Sequence, residues 1–125
     1  MLTLPPTVRV FIGLEPIDMR CSFDALAAQV SARLSRDPLD GHLYCFVNRP
    51  RTLMKVLFFD RSGYCILYKR LEVGTFSLPR PASAGQGVEL SAAELGLILE
   101  GIDLNGATRR KRYQRSADLA GREAR

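Results

Sequence analysis

A cluster of basic side chains around a tyrosine is the part of this sequence that points most directly to a chemistry. Between positions 49 and 70, six residues are candidates to neutralise phosphate or stack on a base: Arg49, Arg51, Lys55, Tyr68, Lys69 and Arg70. Arg and Lys contacts to phosphate supply much of the affinity of nucleic-acid-binding proteins, and aromatic rings add base stacking. The cluster therefore predicts a nucleic-acid-binding surface. The same pattern also fits an edge hairpin whose cations only prevent pairing with other chains.

The cluster lies on a predicted β-hairpin whose register the sequence leaves open. A four-residue turn over 60–63 places Lys55 opposite Tyr68, on the less apolar face of the hairpin, which we expect to be exposed. A three-residue turn with a bulge instead places Lys55 opposite Lys69, where the like charges repel. Lys55 lies beside another cation in both registers, so the predicted cluster does not depend on the turn.

Residues that could support catalysis do not form a recognised motif. The sequence has a single histidine, His42, and no serine in the G-x-S-x-G setting of a nucleophile elbow that could act with it. It also contains no P-loop and no dinucleotide-binding fingerprint. Asp18, Asp60 and Glu72 are the candidate carboxylates for a metal-dependent nuclease, which is a third hypothesis. Because each of them also suits an ordinary loop, turn or strand end, we predict a protein without catalytic residues.

The cysteines do not predict a metal site. Cys21, Cys45 and Cys65 are 24 and 20 residues apart, whereas a structural zinc site takes four ligands that come in closely spaced pairs. We expect reduced thiols, with Cys45 and Cys65 serving as small apolar residues inside strands. We accordingly predict neither a metal nor a cofactor.

The net charge of +5 is unevenly distributed along the 125 residues. Residues 1–80 have eleven Lys and Arg against seven Asp and Glu, and residues 81–108 have four acidic residues and no basic one. Residues 109–125 have seven basic residues against two acidic ones, and this basic tail predicts further phosphate contacts, from Arg109, Arg110, Lys111 and Arg112. The acidic segment is a candidate surface for a basic protein partner.

Composition indicates one folded domain followed by the tail. With 46% hydrophobic residues, a chain of this length buries enough surface for one core without disulfides or metal. We predict a single α+β domain over residues 1–104 and a disordered basic tail over residues 105–125. No stretch is long and apolar enough to cross a bilayer, and the N-terminus does not resemble a signal peptide, so we predict a cytoplasmic protein without membrane contact.

Hydrophobic periodicity predicts the elements that position these residues. An apolar stripe with helical spacing predicts an amphipathic helix over 22–35, and a capping box at Ser91 and Glu94 starts a second, short helix over 91–100. β-prone runs separated by turn residues predict an antiparallel meander of four to five strands, over 8–12, 43–47, 53–59, 64–71 and 74–78. We expect the meander to pack against the first helix.

A series of short motifs in this sequence resembles a known family. The motifs include Asp18-Met19-Arg20, Gly41-His42-Leu43, Lys55-Val56-Leu57, Tyr68-Lys69-Arg70-Leu71 and Leu99-Glu100-Gly101-Ile102-Asp103. Together they resemble the TnpB accessory proteins of the insertion-sequence sixty-six family of bacterial transposable elements. The resemblance spans residues 3–104, which is nearly all of the predicted domain.

The resemblance implies a non-catalytic accessory protein for DNA transposition, encoded beside a separate transposase. The family's basic positions fall on Arg20, Lys55, Lys69 and Arg70, so these residues are expected to contact DNA, at the element ends or at the target. Cys21-Ser22 stands where the family often has Lys-Gly, which removes a cation beside Arg20.

Two further expectations follow from the resemblance. The alternative function is an adaptor that recruits or stabilises the transposase and has little DNA affinity of its own. The expected localisation is the bacterial cytoplasm, on the nucleoid when DNA is bound. The sequence leaves the oligomeric state open.

Overall fold

The computed structural model describes residues 5–80 and 87–102, which form a five-stranded sheet with a helix on each face. In chain order the elements are β1 (Val10–Gly13), α1 (Phe23–Leu34), β2 (Leu43–Val47), β3 (Leu53–Asp60), β4 (Gly63–Arg70), β5 (Gly87–Leu90) and α2 (Ala92–Leu99). The predicted α+β class is confirmed. The predicted tail over 105–125 lies outside the described residues. Neither of these two helices is long and apolar enough to span a membrane.

The sheet is mixed, with the strand order β4-β3-β2-β1-β5. Strands β2, β3 and β4 form the predicted antiparallel meander. Strand β1 differs from the prediction, because it runs parallel to β2 and pairs Val10 with Leu43 and Ile12 with Cys45. The cause is α1, which connects these two strands: a crossover through a helix returns the chain to the end at which β1 began.

The fifth strand is not the predicted one. Residues 74–78 form no strand, because Phe76 leaves the sheet edge to fill the core, where it is 0% exposed. Its amide donates one hydrogen bond, of 2.7 Å, to the carbonyl of Arg51. The fifth strand is β5, which pairs antiparallel with β1. Its signal in the sequence is the alternation of Val88, Glu89 and Leu90, which is too short to distinguish from a loop.

Apolar side chains cover both faces of the sheet. On one face, Leu26 and Val30 of α1 pack with Phe46 and Leu57, and on the other face Leu95, Ile98 and Leu99 of α2 pack with strand residues and Phe76. All five residues of β2 are buried, as expected for a central strand that is covered on both sides. Helix α1 confirms the helix predicted over 22–35, although Ser22 at its N-cap position makes no side-chain capping bond.

Helix α2 begins and ends as local sequence signals require. The amide of Glu94 donates to Ser91 Oγ at 3.0 Å and the amide of Ser91 donates to Glu94 Oε1 at 2.8 Å, so the predicted capping box is complete. Gly101 then takes a φ of +79°, and the amide of Ile102 donates back to the carbonyl of Leu97 at 2.9 Å. A left-handed residue at this position is most easily a glycine.

Candidate nucleic-acid interface

The β3–β4 hairpin has the four-residue turn, one of the two registers left open by the sequence. Asp60 pairs with Gly63, and Lys55 lies opposite Tyr68. Leu53 lies opposite Arg70, so the end of β4 is beside the start of β3. Lys55, Tyr68 and Arg70 therefore belong to the face of the hairpin on which α1 packs.

Lys55 is buried, contrary to the predicted exposure of that face. Its exposed fraction is 8%, because the connection between β1 and α1 covers it. The ammonium group donates to the carbonyls of Met19 and Cys21, both at 2.7 Å. It also lies 4.8 Å from the centroid of the Tyr68 ring, at cation–π distance. Lys55 thus ties the connection to the hairpin and has its charge turned inward.

Arg20 lies between the two residues whose carbonyls bind Lys55, and its side chain is 91% exposed. Its Nε and Nη2 atoms donate to the carboxylate of Asp18 at 2.6 to 3.1 Å. Hydrogen bonds from the side chain and the amide of Arg20 lower the pKa of Asp18 to about 2. These bonds do not use Nη1, so the guanidinium is held in place with one edge facing solvent.

Arg49 and Arg51 are exposed in the β2–β3 loop. The loop is shaped by Asn48, whose Oδ1 accepts from the amides of Thr52 at 2.9 Å and Leu53 at 3.0 Å. Arg51 takes a φ of +62°, a left-handed conformation uncommon for residues other than glycine. Side-chain and backbone bonds therefore fix the path of the loop between its two arginines.

The last two cations of the hairpin point to opposite faces of the sheet. Arg70 is 70% exposed and its Nε atom donates to Glu72 at 2.8 Å. Lys69, on the α2 face, donates from Nζ to the carbonyl of Leu99 at 2.7 Å. A cation is favourable there because the last carbonyls of a helix carry partial negative charge. Lys69 is therefore separated from Arg70 by the sheet.

Exposed residues gather at the end of the sheet where β2 ends, β3 begins and β4 ends. The β1–α1 connection joins them there, since the amide of Ile17 donates to the carbonyl of Val47 at 2.9 Å. We call this region the basic surface and define it by Arg20, Arg49, Arg51, Tyr68 and Arg70. Of the other predicted site residues, Lys55 supports this surface from beneath and Lys69 lies on the other face. Arg109, Arg110, Lys111 and Arg112 lie outside the described residues.

The three carboxylates of the nuclease hypothesis do not converge. Asp60 is at the turn end of the β3–β4 hairpin, whereas Glu72 follows the other end of β4. Eight strand residues separate these ends by roughly 25 Å, at about 3.3 Å per residue. Asp18 and Glu72 each pair with an arginine. Within residues 5–80 and 87–102, no three His, Cys, Asp or Glu residues are placed to hold a metal ion.

The three cysteines are free thiols. Cys45 lies in β2 and Cys65 in β4, as predicted. Burial raises the pKa of the Cys45 thiol to about 12. Cys45 is therefore an apolar core residue and not a reactive nucleophile.

A second group of charged residues, which sequence reasoning missed, lies where α1 ends and β1 and β2 begin. We call it the paired cluster and define it by Arg9, Phe11, Arg36, Asp40, Tyr44 and Glu89. Two guanidinium groups flank the ring of Phe11, that of Arg36 at 4.2 Å and that of Arg9 at 5.1 Å from the centroid. Arg9 also pairs with Glu89 at 2.8 Å. Nothing in the local sequence links residues 9 and 89, because the β1–β5 pairing brings them together.

Tyr44 is the polar centre of the paired cluster. Its hydroxyl donates to Asp40 at 2.6 Å and accepts from Nε of Arg36 at 3.1 Å. Burial, followed by the hydrogen bond to Asp40, raises the pKa of Tyr44 to about 12. Burial also acts to raise the pKa of Asp40, but hydrogen bonds from Tyr44 and the His42 amide outweigh it and the pKa is lowered. Each charge in this group is thus matched within the fold.

The mixed sheet, with a helix on each face and exposed arginines gathered at one end, defines a small α+β protein with a basic surface. The family model of the IS66 Orf2-like proteins, TnpB_IS66, matches residues 8–109, and the chain belongs to this family. Its membership confirms the resemblance found in the motifs. It associates the chain with transposition by insertion sequences of the IS66 type, as an accessory protein.

Two curated proteins of Sinorhizobium fredii (strain NBRC 101917 / NGR234) are similar to the chain along most of their length. The uncharacterized protein y4hO is 41% identical over 103 residues, which cover 82% of this chain and 88% of the relative. The uncharacterized protein y4jC is 28% identical over 113 residues, which cover 90% of this chain and 94% of the relative. No solved structure gives a significant match.

Proposed function

We propose that the chain is a non-catalytic accessory protein of transposition that binds DNA through its basic surface. Family membership supports the role in transposition. The observation that carries DNA binding is the convergence of four exposed guanidinium groups from three separate segments, Arg20, Arg49, Arg51 and Arg70, at one end of the sheet. Arginine is suited to this task because its planar fork matches phosphate oxygens.

The residues proposed to contact DNA directly differ from those expected from the sequence. In this proposal the four arginines contact phosphates and Lys55 positions them, because its ammonium group already binds two carbonyls. Lys69 stabilises the end of α2 and lies away from the DNA. The tail residues Arg109, Arg110, Lys111 and Arg112 add non-specific phosphate contacts. The partners are DNA, at the element ends or the target, and the separately encoded transposase.

The test is a salt series of equilibrium binding to duplex DNA. Each phosphate contact contributes a slope of about 0.9 in a plot of log affinity against log salt concentration. The double variant Arg49→Gln/Arg51→Gln is expected to lower this slope by about 1.8 and the affinity on the order of 50-fold at 0.1 M salt.

The matched control is Arg9→Gln/Arg61→Gln, which removes the same charge elsewhere. Arg9 belongs to the paired cluster, and Arg61 lies at the turn end of the hairpin with a φ of +54°, close to the +62° of Arg51. The control should bind as the wild type does. Equal losses in both variants would show that net charge alone attracts DNA, and absence of salt-dependent binding at micromolar protein would refute DNA binding.

The adaptor function is the second candidate, and the outer face of α2 favours it. Leu97 is 40% exposed there, next to exposed Glu94 and in the segment that is acidic in the sequence. Its test is co-purification with the transposase after nuclease treatment, comparing the wild type with Leu97→Asp. Loss of the transposase only in Leu97→Asp supports the adaptor. Glu94 is unsuitable for a charge swap because it forms the capping box of α2.

A further inference from the structure

Tyr68 is the most exposed aromatic side chain among the described residues. Its exposed fraction is 53%, although the strand residues Ile66 and Tyr64 on the same face are packed against the core. In the described part of the chain, no other aromatic ring packs on it. The ring is therefore free to contact a ligand of the basic surface.

The ring is also held in place. The ammonium group of Lys55 lies over it at 4.8 Å from the centroid, and that ammonium is itself fixed by the carbonyls of Met19 and Cys21. One face of the ring is thus supported from inside the protein, and its exposure leaves the opposite face open. A ring that is already immobilised loses little conformational entropy when a ligand stacks on it.

Two exposed arginines belong to the same surface as the ring. Arg70 is two residues further along β4 and on the same face of the sheet, about 7 Å away at the rise of a strand. Arg20 extends from the connection that covers Lys55, and its side chain is 91% exposed. Proteins bind single-stranded nucleic acid with aromatic rings that lie beside cations, since a base stacks on the ring while the cations contact the adjoining phosphates.

A ring cannot stack on bases inside an intact duplex, because their faces already stack on each other. We propose that Tyr68 is a stacking platform for an unpaired nucleobase, so that the basic surface binds DNA where a duplex meets a single strand. This inference rests on the proposed function, since it names the form of DNA that the same surface recognises.

The experiment compares two DNAs and four proteins. The DNAs are a blunt duplex and the same duplex with a short single-stranded extension that contains one 2-aminopurine, a base whose fluorescence is quenched by stacking. The proteins are the full-length wild type, Tyr68→Ala and Tyr68→Phe, with Leu39→Ala as a control that removes an exposed apolar side chain from the connection between α1 and β2. The wild type should bind the extended duplex about 10-fold more tightly, since base stacking on an aromatic ring contributes at this level.

The variants separate stacking from other roles of the ring. Tyr68→Ala should lose the preference and the quenching while keeping its affinity for the blunt duplex, and Tyr68→Phe and Leu39→Ala should behave as the wild type. Circular dichroism establishes that each variant is folded. If the wild type shows no preference, or Tyr68→Ala weakens both complexes equally, the stacking role is wrong and DNA binding stands. If no DNA binds in a salt-dependent manner, the proposed function fails as well.

Discussion

The basic surface and the paired cluster have similar ingredients and opposite arrangements. Each combines arginines with an aromatic ring. In the paired cluster the ring of Phe11 is buried, at 9% exposed, and both arginines that flank it bind a carboxylate. In the basic surface the ring of Tyr68 is 53% exposed, and Arg49 and Arg51 face solvent.

The difference shows that pairing and burial, more than the number of charges, decide which region has charge left for a ligand. In the paired cluster both arginines are neutralised by carboxylates of the same chain. In the basic surface, Asp18 and Glu72 each hold one arginine in position and leave part of its guanidinium outward. The net charge of +5 therefore does not locate the binding site by itself.

The largest expected loss of stability comes from removing the ammonium group that supports the basic surface. Lys55→Met keeps the apolar stem and removes the ammonium, which leaves the carbonyls of Met19 and Cys21 without that donor. We expect the free energy of unfolding to fall by about 2–3 kcal/mol, the range for buried hydrogen bonds to a charged group. Urea unfolding followed by circular dichroism measures it. Arg49→Gln is the control, with less than about 0.5 kcal/mol expected at an exposed position; equal effects would contradict the supporting role.

A smaller effect is expected at the centre of the paired cluster. Tyr44→Phe removes the hydroxyl that donates to Asp40 and accepts from Arg36. The expected cost is about 1–2 kcal/mol of unfolding free energy, because two partners lose a buried hydrogen bond. Duplex affinity should not change, since this region lies outside the basic surface. If the variant is folded but binds the duplex more weakly than the wild type, the paired cluster and the basic surface are coupled.

Arg20→Gln tests whether an ion pair holds the outer arginine of the basic surface. The pKa of Asp18 should rise from about 2 toward 3.8, as followed by NMR titration of its carboxyl group. Since the folded pKa lies below the unfolded one, this pair stabilises the fold above about pH 4 and is lost as the pH falls toward 2. The variant should lack that part of the acid sensitivity. An unchanged pKa would mean that Arg20 is free in solution.

The smallest effect is expected for the exposed pair of Arg9 and Glu89. The single variants Arg9→Glu and Glu89→Arg place like charges together, and the double variant restores an opposite pair with its sign reversed. Exposed pairs contribute little and are screened by salt, so the single variants should lower the melting temperature slightly at low salt and the double variant should recover it. Failure of the double variant to recover would indicate that the cation over Phe11 contributes more than the ion pair.

Local sequence signals predicted the elements that depend on neighbouring residues. The capping box of α2, the apolar stripe of α1 and the β3–β4 hairpin all lie within short stretches, so their patterns were readable. Three features depended on distant contacts and were missed. Strand β1 pairs parallel to β2, and β5 forms only beside β1. Residues 74–78 form no strand because Phe76 fills the core.

The sequence predicted which residues lie near the candidate site but not which of them are exposed. The sequence gathered Tyr68, Arg70 and the two loop arginines correctly at one end of a hairpin. It misplaced Lys55, because the cover that buries it comes from the connection between β1 and α1, more than thirty residues earlier in the chain.

The sequence by itself determined the α+β class, the hairpin, the family and the basic character of residues 49–70. Tertiary structure alone decided which of those cations face solvent. The physical reason is that a cation is available to a ligand only where the fold does not already bind it. Lys55 points inward because its ammonium group donates to two carbonyls and lies over the Tyr68 ring. Lys69 points to the other face because its ammonium group donates to a carbonyl at the end of α2. Neither acceptor is adjacent to its lysine in the chain, so only the packed sheet brings them together.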